Sequence, residues 1–281
     1  MQYLKRANSI LILLLSACFL IGCQIESIDV NAVNIVEQTK PFSITRFDEE
    51  VQWQDGEEIN LSEEAGQFVI VDGGDYRLTG QASTGLIVEA EDQNVHLFLD
   101  NVTIDTKAGP AIWIRSAGKV VITLMDGSYN ILSDYPALEE SANADGALFG
   151  ECDLTINGTG ALEVSGYYKN AIYSKDVLKI LGGDIIIRSK NDGIRGSDGI
   201  LLAPNSLSVE SEQIGIHTTN TGKAGKGSID ICGGKIDIVA GRYGIQAAAD
   251  LYVNGAEVTC QGVIADALVE GDEYISDGCM N

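Results

Sequence analysis

A short motif returns along this chain at nearly constant spacing, and a chain that repeats itself every two dozen residues has few folds open to it. A small residue followed by an apolar one occurs at Ala147-Leu148, Ala171-Ile172, Gly193-Ile194, Gly215-Ile216 and Gly244-Ile245, and a sixth pair is read at Ala267-Leu268. The first five are separated by 24, 22, 22 and 29 residues, the 29 being 22 plus the seven-residue insertion Thr221 to Gly227. Two further alternating sets keep step with it: Leu154/Ile156, Leu178/Ile180, Ile200/Leu202, Ile229/Ile231 and Leu251/Val253, then Leu162/Val164, Ile185/Ile187, Leu207/Val209, Ile236/Ile238 and Val258/Cys260. Earlier segments, among them Val95 to Leu99 and Val120 to Leu124, fit more loosely, with a longer insertion between Leu132 and Asn143.

Alternation of apolar and polar residues gives each short strand one buried side. Three such strands in about 22 residues predict an all-β fold, a right-handed single-stranded parallel β-helix whose coils each lean on the next. A propeller or sandwich would need antiparallel hairpins, and a helical solenoid a 3.6-residue period. The 32 glycines against 4 prolines suit a chain of many tight corners. The repeat assigns residues 59–281 to the β-helix and 23–58 to a tether with an acidic lead-in. There Asp48, Glu49, Glu50, Asp55, Glu57 and Glu58 crowd around Trp53, a composition of solvated spacers rather than of sites.

Residues 1–22 read as a signal peptide. Lys5 and Arg6 precede an apolar run from Ser9 to Ile21, too short to span a bilayer of roughly 30 Å hydrocarbon. Leu20-Ile21-Gly22-Cys23 resembles a bacterial lipobox, which implies cleavage before Cys23 and lipid on its thiol. The expected location is therefore the bacterial cell envelope, on the extracytoplasmic side, with the membrane reached only through that lipid. The whole chain carries a net charge of -23, and loss of Lys5 and Arg6 makes it -25. Such a surface repels phosphate backbones, so nucleic acid is excluded as a partner, and a monomer is expected. Two histidines leave little room for histidine-rich metal chemistry. Of the cysteines left after Cys18 and Cys23, Cys260 falls on an inward position, Cys232 on an outward one and Cys152 at a turn; a Cys260–Cys279 bridge is possible for an exported chain.

A solenoid acts through its outward ladders. The residue after each apolar member of the small-apolar pairs gives Trp113, Phe149, Tyr173, Arg195, His217 and Gln246, one per coil, with Tyr167 and Tyr168 at an adjoining turn. Such a stripe either grips an extended sugar chain through ring faces and hydroxyls or stacks across strands to hold the sheet. A second set carries oxygen: Asp145, Asp153, Asn170, Asp176, Asp192 and Asp198, with Asn220 beyond. These residues either cap their own turns or hold Ca²⁺ between coils, which draws oxygens from several residues.

Several of these runs, ANADGAL at 142–148, DLTINGTG at 153–160, YKNAIYSKD at 168–176 and KNDGI at 190–194, resemble those of a bacterial family of carbohydrate-binding domain-containing proteins. The resemblance spans about Leu61 to Cys260. It implies a calcium-carrying parallel β-helix like that of polysaccharide lyases, binding plant cell-wall polysaccharide of the cellulose or pectin type. Asn170-Ala171 stands where the family pattern has Asp-Gly, and Gln213 to Gly215 and Arg242 to Gly244 lack the acid before the glycine. Those departures confine the implied calcium to the stretch from Asp145 to Asp198.

The expected function is non-catalytic polysaccharide binding by a surface-tethered lipoprotein. One alternative is a calcium-dependent pectate lyase, in which Lys175, Lys190 or Arg195 would serve as base; another is a structural or protein-binding solenoid. No carboxylate pair stands out to support a hydrolase.

Overall fold

In the computed structural model of this protein, residues 42–63, 66–135, 144–222 and 224–276 are described. The lipidation residue Cys23, residues 1–22 of the signal, Cys279 of the suggested bridge and most of the insertion before Asn143 lie outside them. Among the described residues there are 23 strands and one helical turn, Arg46–Glu49. Every strand pairing is parallel, and the strands wind into a nearly closed, barrel-like solenoid.

Three strand columns follow the three sequence sets. The first contains Asp153–Gly158, Val177–Ile180, Gly199–Leu202, Ser228–Ile231 and Leu251–Asn254. The second contains Tyr129–Ser133, Ala161–Gly166, Asp184–Ser189, Ser206–Ser211, Lys235–Ala240 and Glu257–Gly262. The third contains Gly146–Gly150, Asn170–Ser174, Ile194–Gly196, Ile214–His217, Tyr243–Ala247 and Ala265–Val269. Registers link Leu148 to Ile172, Ile194, Ile216 and Ile245 in turn, so like residues stack on like along the axis. One register differs from the sequence reading. Ile245 pairs with Ala267, and Leu268 pairs with Gln246, so the inward residue of the last pair is Ala267 and Leu268 faces out.

One hydrophobic core fills the interior. Leu178, Ile200, Ile229, Ile187, Val209, Ile194 and Ile216 are buried within it. Each such side chain contributes roughly 1.5–3 kcal/mol by leaving water. Cys152, read from sequence as a turn residue, is also a core member, and Cys260 is partly buried against the same cluster. The thiols of both are pushed up to about 12, chiefly by burial.

Close approach explains the small residue of the third set. A Cβ on Gly193 would lie 2.4 Å from a Val209 methyl, and one on Gly215 the same distance from an Ile238 methyl. The third column therefore comes within contact of the second only where the side chain is absent or a single methyl.

Candidate functional site

The fold presents three outward faces, and each meets solvent differently. The first is covered. Residues 42–53 lie across it, with Phe42 packed on Gly199, where an added Cβ would meet the ring at 2.4 Å. Asp48 is 0% exposed. It receives hydrogen bonds from Lys119 Nζ at 2.8 Å, Lys179 Nζ at 3.1 Å and Thr155 Oγ1 at 2.5 Å. Burial alone would raise this carboxyl, but the donors led by Lys119 and Thr155 outweigh it and hold the group well below the usual carboxylate range. Trp53 meets Phe98 edge-on at 5.2 Å, and the ring of His96 stacks on Phe98 at 3.9 Å. Burial lowers His96 to about 4. The acidic lead-in read as a spacer thus contributes a buried anchor at Asp48, while Glu49, Asp55, Glu57 and Glu58 remain exposed as expected.

The third face carries the expected ladder, in register from Trp113 through Phe149, Tyr173, Arg195 and His217 to Gln246. It is not an open platform. Phe149 is 0% and Tyr173 8% exposed, and with Ala144 they form a second apolar cluster against which Trp113 packs. Ring centroids lie 6.3 Å apart for Trp113–Phe149 and 5.2 Å for Phe149–Tyr173. Cations cover what remains: Arg115 lies over Trp113 at 4.0 Å, Lys175 over Phe149 at 5.4 Å and Arg195 over Tyr173 at 4.9 Å. For Phe149 and Tyr173 the geometry is cross-strand stacking, and the expectation that their faces meet sugar is corrected. Arg195, His217 and Gln246 stay partly exposed. Tyr167 is half exposed at the corner joining the second and third faces, and Tyr168 beside it is partly buried.

The six calcium candidates separate onto two corners. At the corner before the third column, Asp145 accepts from Lys169 Nζ at 2.6 Å. Asn170 spends its amide within the fold, donating to the Asp145 carbonyl at 2.6 Å and accepting from the Asp192 N–H at 3.1 Å. Asp192 accepts from His217 Nδ1 at 2.8 Å. At the corner after it stand Asp153, Asp176 and Asp198. Asp176 is pushed up by burial first and then by its neighbours Asp153 and Asp198. Asp198 feels burial too, but Lys226 and Asn220 outweigh it and lower the group. Among the described residues no three His, Cys, Asp or Glu side chains gather where they could hold one metal ion.

The second face is open. Along it, outward residues alternate exposed with buried core residues, as in Asp184–Ser189, Ser206–Ser211 and Lys235–Ala240. A cleft of about 260 Å³ lies there, lined by Tyr129, Ala161, Asp184, Ile186, Lys235 and Asp237 among others. Tyr129 is 47% exposed. Its hydroxyl donates to Glu163 at 2.8 Å, and Glu163 is in turn held by Arg188 Nη1 at 2.5 Å. Small residues make the depression: Tyr129 is in register with Ala161, then Asp184 and Ser206. Sequence reasoning missed this cleft, although its signal is the column Glu163, Ile186, Ser208 and Asp237, which lies between the inward members of the second set. A half-exposed ring at one end of the cleft, tied to Glu163, with Asp184 along it and Lys235 four strands on, offers a sugar both an apolar face and hydroxyl partners.

The residues considered as lyase bases are all engaged as cations. Lys175 pairs with Glu151 at 2.9 Å, Lys190 pairs with Glu212, and Arg195 covers Tyr173 with Asp192 at 4.0 Å.

Comparison with known proteins follows these contours. Residues 64–273 match a family described as "Carbohydrate-binding domain-containing protein". A protein of that description from Acetivibrio thermocellus is 31% identical over 227 residues, which cover 78% of this chain and 79% of its own length. The solved structure of a polysaccharide lyase-like protein from C. thermocellum, a gadolinium derivative, superposes with a TM-score of 0.71 at 29% identity, covering 76% of this chain and 88% of that one.

Proposed function

Since the chain belongs to the family of carbohydrate-binding domain-containing proteins, we propose that it binds polysaccharide without transforming it, on the open second face of the solenoid. The observation that carries this reading is the Tyr129 cleft. Its ring is held by Glu163, itself paired with Arg188, and the cleft runs along the sheet from Tyr129 to Lys235. A net charge of -23 favours a neutral, cellulose-like chain over an anionic pectin, whose uronates would meet Asp184 and Asp237 in the cleft.

The same proposal takes the fold as a right-handed single-stranded parallel β-helix of about 22 residues per coil, supported by registers such as Ile172 to Ile194 and Ile194 to Ile216. It takes the chain as a monomeric lipoprotein anchored through Cys23 outside the cytoplasm, supported by the run Leu20 to Cys23. Lyase activity is the second reading, favoured by the described likeness to a polysaccharide lyase-like protein.

Pull-down on insoluble cellulose and affinity electrophoresis in soluble glycans test the binding reading. Tyr129→Ala is expected to abolish retention, and Trp113→Ala to leave it unchanged. Retention lost with Trp113→Ala alone would move the site to the third face. A rise in ultraviolet absorbance from unsaturated uronate products on polygalacturonate would overturn the non-catalytic reading.

A further inference from the structure

Calcium is what the family resemblance implies, and the corner of Asp153, Asp176 and Asp198 is where stacked carboxylates come nearest to offering it a place. A calcium ion takes about six to eight oxygen ligands, yet the groups around this corner present hydrogen-bond donors. Asn220 turns Nδ2 toward Asp198 Oδ1 at 2.6 Å, and its own Oδ1 is fixed by the Gly222 N–H at 3.1 Å. Asp153 Oδ1 accepts from the Val177 N–H at 3.2 Å. The remaining Asp198 oxygen, Oδ2, is met by the ammonium of Lys226.

Lys226 reaches this point because of the insertion that breaks the repeat. The run Thr221 to Gly227 leaves the coil after Asn220 and is pinned where it returns: the Gly227 N–H donates to the Asp198 carbonyl at 2.7 Å, and the Gly227 carbonyl accepts from Thr218 Oγ1 at 2.6 Å. Gly227 adopts φ +83°, and a Cβ there would lie 2.3 Å from the Asn220 carbonyl oxygen, so the return path is narrow. At the other corner Asp145 pairs with Lys169, and Asp192 accepts from His217 Nδ1 with Arg195 at 4.0 Å.

We infer that this protein balances its stacked carboxylates with its own side-chain cations rather than with a metal ion, and that Lys226, delivered by the insertion onto Asp198, supplies the positive charge at the corner of Asp153, Asp176 and Asp198. The fold then needs no calcium, whichever polysaccharide it binds, so this inference stands apart from the binding proposal.

Thermal unfolding of the full chain in chelator, in millimolar CaCl₂ and in MgCl₂ of equal ionic strength provides the test. The wild-type Tm is expected to be the same in all three. Lys226→Met keeps the aliphatic stem without the charge; its Tm is expected to fall by a few degrees to the same extent in all three, because the three carboxylates do not gather where they could hold one metal ion. A wild-type Tm that drops in chelator and returns with CaCl₂ would overturn the inference. So would a Lys226→Met protein as stable as wild type in chelator, or one whose loss CaCl₂ but not MgCl₂ restores. Should Lys226→Met fail to fold, terbium luminescence on the wild type decides: absence of saturable binding supports the inference, and saturable, calcium-displaced binding overturns it.

Discussion

The ammonium of Lys119 donates to both carboxylate oxygens of Asp48 at 2.8 Å, across 71 positions of sequence. This contact, with Lys179 and Thr155, pins the lead-in across the first face. Lys119 and Lys179 are themselves 14% and 6% exposed, and Asp48 is the carboxylate that both pair with. Asp48→Asn leaves two lysines buried with a neutral partner and should destabilise the fold by about 3 kcal/mol. Urea unfolding at neutral pH checks it. Because the Asp48 carboxyl is held below its ordinary value of 3.8, its stabilisation is present above that pH and is lost only as pH falls toward the lower folded value.

Gly215→Ala tests the close approach of the second and third columns. The added Cβ would stand 2.4 Å from an Ile238 methyl and 2.5 Å from the Gly244 carbonyl oxygen. Overpacking of this kind costs about 1–3 kcal/mol, read as a lowered urea midpoint with unchanged slope. A neutral outcome would show that the columns can part without penalty.

Asp134 gives the chain a pH dependence of opposite sign to that of Asp48. Its carboxylate accepts the N–H groups of Tyr167 at 2.6 Å and Tyr168 at 3.2 Å through one oxygen, while burial pushes the group up to about 7 from its ordinary 3.8. A raised acid stabilises the fold while protonated. Its contribution is complete below pH 3.8 and is lost as pH rises to about 7. Asp134→Asn keeps an oxygen for the two amides and removes the titration. The variant should gain on wild type between pH 4 and 7 by on the order of 4 kcal/mol, then run parallel above. Paired denaturation curves across that range measure the difference.

The coil repeat is readable from sequence because it is written by residues that answer to one another. Ile172, Ile194, Ile216 and Ile245 must each be apolar, since each is the floor for the next. Exposure of the outward residues has no such local signature. The pattern around Phe149 is that of an outward position, yet Ala144, at the end of a long insertion, packs on it. Asp48 sits in an acidic run, and the lysines it pairs with lie 71 and 131 positions away. The carboxylate corners fail for a related reason. Their acids repeat at coil spacing, but the lysines that neutralise Asp145 and Asp198 come from a turn and an insertion outside the repeat. The Leu268 slip has a smaller cause: Ala267 and Leu268 are both apolar, and only the ladder shows which one faces in.

Phe149→Ala separates the stacking role of the third face from binding. The side chain is fully buried between Trp113 and Tyr173. Its truncation should cost about 3–5 kcal/mol of stability and leave polysaccharide retention unchanged at temperatures where the variant is folded. Loss of retention in a fully folded Phe149→Ala protein would return the third face to the binding site.

The cleft's ring is useful to a sugar only if it is held still. Tyr129 is tied through its hydroxyl to Glu163, and Glu163 to Arg188, so a three-residue relay spans three adjacent strands. Tyr129→Phe keeps the apolar face and cuts the tie; Glu163→Gln keeps the tie but weakens the grip of Arg188. Ordering a loose side chain on binding costs about 0.5–1.5 kcal/mol. Both variants should therefore weaken glycan affinity by about 2- to 10-fold, short of the full loss expected for Tyr129→Ala. Affinity electrophoresis across a glycan concentration series resolves these steps. Tyr129→Phe binding as weakly as Tyr129→Ala would instead make the hydroxyl, through a direct bond to sugar, the group that matters.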